Sequence, residues 1–165
     1  MALRIEPIGV IHTGHRDPAT TPVQAAANPA EEGVAVVDER YAAGLEGLAG
    51  FSHVWLLTWL GTDPPEPAAL QQRPFARPDG PPVGIFAMRG PRRPVPVGLS
   101  LVEVVAVEAS TLRFRGVDVV DGTPLLDLKP YFADADQPRG DVRHGWADEL
   151  GAPRGPGPTG GAPPG

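Results

Sequence analysis

Residues 99–120 read Leu-Ser-Leu-Val-Glu-Val-Val-Ala-Val-Glu-Ala-Ser-Thr-Leu-Arg-Phe-Arg-Gly-Val-Asp-Val-Val. From Leu99 to Glu108 the run is rich in β-branched residues, which pack well on a pleated, half-buried surface. From Thr111 to Val120 the side chains alternate. Leu112 and Phe114 face one way and Arg113 and Arg115 the other, which is the period of a strand with one buried face. The reading is two neighbouring strands.

Working outward, further strand candidates follow. They are Leu3–Thr13, the run Gly33-Val34-Ala35-Val36-Val37-Asp38, Phe51–Leu60 and Gly84–Arg89. Arg40–Leu48 reads as a short helical turn. Gly14–Asn28 reads as a loop, as does Asp63–Pro82, which holds seven prolines. Several strands with few long helical patterns point to a barrel or sandwich. Composition agrees. Gly and Pro are 43 of 165 residues, and both are costly inside helices, so a helical bundle is excluded. With 41% hydrophobic residues the chain still has material for one core.

Composition also bounds function. There is no cysteine, which excludes disulfides, thiolate metal sites and Cys nucleophiles. The net charge is −6, so the overall field repels phosphate, and nucleic acid would have to be met by a local basic patch. The apolar run Val54–Leu60 is far shorter than the ~20 residues that cross a bilayer. No signal peptide is visible, and the expectation is a cytoplasmic protein with no membrane partner. The last 15 residues, from Gly151, hold 11 Gly or Pro. They carry no large apolar side chain to offset ordering entropy, and are expected to be disordered. The expected division is a barrel domain over 1–136 and a C-terminal segment over 137–165. Trp146 is expected to dock back on the domain.

Two stretches carry candidate chemistry. Arg89, Arg92 and Arg93 lie within five positions among prolines. Such a stiff cationic loop suits a carboxylate or phosphate, or else pairs with surface acids. Asp121-Gly122-Thr123-Pro124 carries a turn signal. Beyond it Asp127, Lys129 and Tyr131 recur at period two, so an extended chain projects them to one face, with Leu126 and Leu128 on the other. That face fits a ligand or an exposed salt-bridged edge. His12, His15, His53 and His144 show no metal-ligand spacing, and His53 reads as a hydrogen-bonded core residue. No phosphate loop, dinucleotide fingerprint or nucleophile elbow is present.

Longer strings are familiar as a set. They are Ile8–Ile11, Thr21-Pro22-Val23-Gln24, Gly44–Leu48, Phe51-Ser52-His53-Val54-Trp55, Gly84–Arg89, Arg93–Ser100 and Asp121–Tyr131. Over roughly residues 4–136 the chain resembles the TrmO/TsaA-like family. The resemblance implies an antiparallel β-barrel core, mainly β with few short helices. It also implies dependence on S-adenosylmethionine and a homodimer that binds the cofactor near its interface. The implied activity methylates N6 of threonylcarbamoyl-adenosine beside the tRNA anticodon. Carried over by motif, the cofactor set is Pro22, Val23, Gln24, Gly61, Thr62, Arg89, Leu99, Asp121, Gly122, Thr123 and Pro124. Arg92, Arg93 and Val95 fall on the substrate side. Asp127, Lys129 and Tyr131 are candidates for orienting or deprotonating the acceptor.

Three positions depart from the family pattern. Val23 replaces Arg in Pro-Arg-Gln, Val95 replaces Asn in Arg-Pro-Asn, and Met88 replaces Thr before Arg89. Apolar residues at polar site positions remove hydrogen bonds on which discrimination rests, which points to an altered acceptor. The appended C-terminal domain of some bacterial members is also expected to be absent. Two alternatives follow: a small-molecule methyltransferase of specialised metabolism, and a non-catalytic binding protein on the same barrel.

Overall fold

A computed structural model describes residues 4–61 and 70–150. Six of its strands close a barrel in the order β1-β2-β7-β6-β3-β8, all neighbours antiparallel. They are β1 (Gly9–His12), β2 (Glu32–Val37), β3 (His53–Trp59), β6 (Val97–Glu108), β7 (Thr111–Arg115) and β8 (Thr123–Pro130). A two-stranded ribbon, β4 (Gln71–Gln72) with β5 (Val83–Gly84), lies in the connection between β3 and β6. One four-residue helix, α1 (Ala133–Asp136), follows β8, and the other helical pieces are 3-10 turns.

The strand pair with which the sequence reading began is a hairpin. Its two-residue turn places Ala109 at φ 51, a left-handed conformation that L residues seldom adopt. Inward residues on each strand make the core. Ile11, Ala35, Val54, Leu56, Val102, Leu112, Phe114 and Leu125 are buried. Removing each large side chain from water contributes about 1.5–3 kcal/mol. Phe114 packs over Gly33, its register partner, where an added Cβ would lie 2.5 Å from the ring.

Several boundaries differ from the sequence reading. Strand β1 starts at Gly9, because Pro7 has no amide to pair. Strand β7 stops at Arg115, because Gly116 turns the chain at φ 97. Gly84–Arg89 is not a strand. Ribbon pairing ends at Gly84, and Ile85–Ala87 form a 3-10 turn that buries Ile85 and exposes Phe86. His53 is not a core residue. It faces outward on β3, where its Nδ1 meets Ser52 Oγ at 3.0 Å and its ring meets Tyr131. In β8 the register slips by one residue opposite Leu57/Thr58. Leu126 is thereby the extra residue, and only Leu128 of the expected apolar pair stands opposite buried Leu56.

The chain after α1 returns along the barrel. Trp146 donates from Nε1 to the Ala87 carbonyl at 2.7 Å, and the Arg77 guanidinium sits 5.7 Å from its ring centroid. The expectation of disorder from residue 151 falls outside the described residues. Among those described, no helix is long and apolar enough to cross a membrane.

Candidate functional site

The two ends of the barrel are built differently. At one end, here the mouth, β1, β3 and β7 finish while β2, β6 and β8 start. The β1–β2, β3–β6 and β7–β8 connections all cross there. Loops on a rigid sheet scaffold are where binding groups collect. Most of the residues singled out from the sequence fall on these connections.

The centre of the mouth is a chain of polar contacts that joins three of its walls. Arg89 donates from Nη1 to Gln24 Oε1 at 3.0 Å. The neighbouring amide of Ala25 donates to Asp118 Oδ2 at 2.9 Å, and Ser100 Oγ donates to Asp118 Oδ1 at 2.7 Å. Burial raises the Asp118 carboxyl above its ordinary range. The Ser100 and Ala25 hydrogen bonds, and the charge of Arg89, oppose that rise. Asp118 and Ser100 were missed in the sequence reading. The available signal was one carboxylate inside the apolar run Val117-Asp118-Val119, since an acid in such a run must find partners.

A second cluster closes the rim. Asp121 accepts from the Thr13 amide at 3.2 Å and from Arg16 Nη1 at 2.8 Å, and it meets His12 Nδ1 at 3.2 Å. The Thr13 amide above all, with His12 and Arg16, holds its carboxyl below the usual range. Gly122 at φ 81 makes the turn, and the Thr123 hydroxyl caps it on the Val120 carbonyl at 2.6 Å. The Asp121-Gly122-Thr123-Pro124 string therefore ties the β1–β2 connection to the start of β8. The carboxylate is occupied by protein donors.

Of the remaining expected cofactor residues, Val23, Gln24 and Gly61 lie on the mouth connections, while Leu99 lies on the outer face of β6, level with Asp127 across Leu57. Val23 is 63% exposed, and the Gln24 amide donates back to its carbonyl. Gly61, at φ 64, turns the chain just beyond β3. Leu99 is exposed on the outer face of β6 beside Leu57. Thr62 lies outside the described residues. Arg93 reaches the Ile85 carbonyl at 3.4 Å, and the Arg92 carbonyl accepts from Gln72. Val95, next to the start of β6, is exposed.

Asp127, Lys129 and Tyr131 do share an outward face, but not at the mouth. Lys129 Nζ pairs with Asp127 Oδ2 at 2.8 Å, and the Leu128 amide also donates to that carboxylate. Tyr131 packs its ring against His53 and Trp55. Across β3, Asp127 stands opposite Leu57 and Lys129 opposite Trp55, so the row runs away from the start of β8, and Tyr131 follows just beyond the strand.

The inside of the barrel carries the same asymmetry. Among the described residues the buried polar side chains are Thr58, Ser100 and Thr123, all in the mouth half. Thr58 Oγ1 has no hydrogen-bond partner, and Gly98 opposite it leaves the space it needs, since an added Cβ would lie 2.4 Å away.

The mouth suits a ligand with a carboxylate and hydroxyl or amine groups. A guanidinium has five N–H donors, and the Gln24 bond uses one on Arg89. Exposed backbone at Gly61 and Gly122 adds acceptors.

Comparison with known proteins follows that geometry. Residues 10–137 match the family model described as the tRNA-methyltransferase O N-terminal domain. A probable S-adenosyl-L-methionine-binding protein of Pyrococcus abyssi is 38% identical over 143 residues, 87% of this chain and 75% of that protein. A tRNA (adenine(37)-N6)-methyltransferase of Mus musculus is 41% identical over 95 residues, 58% of this chain and 22% of that protein. The crystal structure of TrmO from Pseudomonas aeruginosa superposes with a TM-score of 0.74 at 34% identity, over 90% of this chain. This chain spans 64% of the length of that structure.

Proposed function

The chain belongs to the tRNA-methyltransferase O N-terminal domain family, its relatives being named as S-adenosyl-L-methionine-binding proteins and as methyltransferases, and from that premise we propose that it transfers a methyl group to N6 of a tRNA adenine. The supporting observation is the charge of the described part of the β3–β6 connection. Residues 70–96 carry Arg73, Arg89, Arg92 and Arg93 with the single acid Asp79, in a chain whose net charge is −6, while Arg77 on the same stretch is paired with Glu149. On the same connection Phe75 and Phe86 are 85% and 80% exposed. Arginines attract the phosphates, and exposed aromatic rings stack unpaired bases of an RNA loop.

S-adenosylmethionine supplies the methyl group on a sulfonium. Arg89 is proposed to hold its carboxylate. Pro22, Val23, Gln24, Gly61, Thr62, Leu99 and the Asp121-Gly122-Thr123-Pro124 turn are proposed to line the rest of its site. Arg92, Arg93 and Val95 face the acceptor. Transfer is an in-line displacement: the N6–C bond forms, the S–C bond breaks with its electron pair kept by sulfur, and one proton leaves N6. The chain's work is to align the two groups and remove that proton.

The proposed proton acceptor and orienting groups, Asp127, Lys129 and Tyr131, lie on the outer face of the barrel, where a second copy of the chain would present them to its partner's mouth. We therefore propose a homodimer. The half-buried Trp55, Leu57 and Trp59 on the outer face of β3, beside exposed Leu99, support that contact. The functional division is a barrel domain over 1–136 and a C-terminal segment over 137–165, acting in the cytoplasm on tRNA.

The test is methyl transfer from labelled S-adenosylmethionine to tRNA lacking the methyl mark. Transfer that falls at least tenfold in an Arg92→Glu, Arg93→Glu double variant supports the reading. Saturable cofactor binding with no transfer to any tRNA would move the acceptor to a small molecule, received against the apolar Val23 and Val95. A folded chain that binds no cofactor would be a non-catalytic binding protein.

A further inference from the structure

Asp118 joins β6 of the barrel wall to the stretch of loop that carries Gln24, the partner of Arg89. Residues 22–28 cross the mouth and touch the 117–118 segment at two points. The Asn28 side-chain amide donates to the Val117 carbonyl at 3.1 Å, and the Ala25 amide donates to Asp118 Oδ2. Between its two oxygens Asp118 therefore spans Ser100 on β6 and Ala25 on the loop. Ala25 is buried and begins a 3-10 turn, so its position fixes the direction in which the preceding Gln24 leaves the wall. Gln24 in turn accepts from Arg89, which comes from a different connection. The relay runs Ser100, Asp118, Ala25, Gln24, Arg89.

An exposed arginine on a long side chain is held weakly by one neutral acceptor. Its precision depends on how firmly that acceptor is placed. Here the backbone amide next to that acceptor is bonded to a half-buried side chain that is itself fixed to β6 by Ser100.

We propose that Asp118 is a positioning residue: by tethering Ala25 to Ser100 it sets Gln24, and through Gln24 the guanidinium of Arg89, at the geometry that receives the cofactor. The proposal rests on the methyltransferase reading of the mouth. Asp118 acts through the loop and touches no reacting atom. The contact that matters is the hydrogen bond, so a neutral acceptor of the same shape keeps most of the function.

The experiment is calorimetric titration of the wild-type chain, Asp118→Ala and Asp118→Asn with S-adenosylhomocysteine, with hydrogen exchange followed at the Ala25 amide and thermal unfolding as control. In Asp118→Ala, affinity is expected to fall at least tenfold and the Ala25 amide to lose protection. Asn retains an oxygen for Ala25 and a polar partner for Ser100, so Asp118→Asn is expected to recover affinity to within about threefold of wild type. Ser100→Ala, which leaves the Ala25 tether, is expected to fall between them.

Wild-type affinity in folded Asp118→Ala overturns the proposal. So does an equal loss in the Ala and Asn variants, which would assign the effect to charge alone. Should Asp118→Ala not fold, Asp118→Asn and Ser100→Ala still decide: both must bind better than Arg89→Ala, and failure of that order overturns the relay. A wild-type chain that binds neither S-adenosylmethionine nor S-adenosylhomocysteine rejects the methyltransferase reading, and the proposal with it.

Discussion

The mouth and the far end of the barrel share six strands and almost nothing else. At the far end the β6–β7 hairpin turns in two residues, and Leu45, Leu48 and Phe51 pack against an apolar core. At the mouth long connections cross, the buried polar residues gather, and two carboxylates are pushed in opposite directions from their ordinary pKa. The far end follows the rule that a core excludes polar groups. The mouth departs from it, and departures from local consistency concentrate where a protein functions.

Four changes break or sharpen that contrast. The largest effect is expected from the wall itself. Phe114→Ala removes a fully buried ring on the mouth side of β7 and should cost about 3–5 kcal/mol of unfolding free energy, measured by denaturant titration. Next is Arg89→Ala, which removes the only cation tied to Gln24 among the described hydrogen bonds. A charge-assisted bond contributes about 1.5–3 kcal/mol, so cofactor affinity should fall by at least tenfold while stability stays near wild type.

A smaller, opposite effect is expected from Thr58→Val. The hydroxyl is buried without a partner, and an isosteric methyl removes its desolvation cost. Thermal unfolding should show a gain of up to about 1 kcal/mol. A loss would mean that the hydroxyl has a partner in solution.

The smallest effect is on pH dependence. The folded carboxyl of Asp121 lies below its ordinary value of 3.8. Its contribution is therefore present above that value and lost as pH falls through the depressed one. Asp121→Asn should lower stability in the neutral region, where that contribution is present, and flatten the acid limb, as read from thermal unfolding followed across pH.

The sequence was legible where a residue's role is set by its neighbours along the chain. Alternation at Thr111–Arg115 and the β-branched run before it carry the hairpin, and Gly122 carries its turn. What could not be read depends on contacts across the fold. Asp118 meets Ser100, 18 residues away, and Ala25, 93 residues away. Asp127, Lys129 and Tyr131 alternate as expected. Their place along the barrel follows from the direction in which β8 leaves the mouth, which period alone does not give. The Gly84–Arg89 string reads along the chain as a short strand. Its ribbon has one short partner, so pairing ends after Gly84 and Ile85 turns inward instead.

The most direct measurement is a calorimetric titration of the wild-type chain, Arg89→Ala and the far-end variant Tyr41→Ala with S-adenosylmethionine and S-adenosylhomocysteine. Saturable binding is predicted for wild type and Tyr41→Ala, weakened at least tenfold in Arg89→Ala. Equal binding by all three would contradict the assignment of the cofactor to the mouth. Absence of binding in the folded wild-type chain would contradict the methyltransferase account itself.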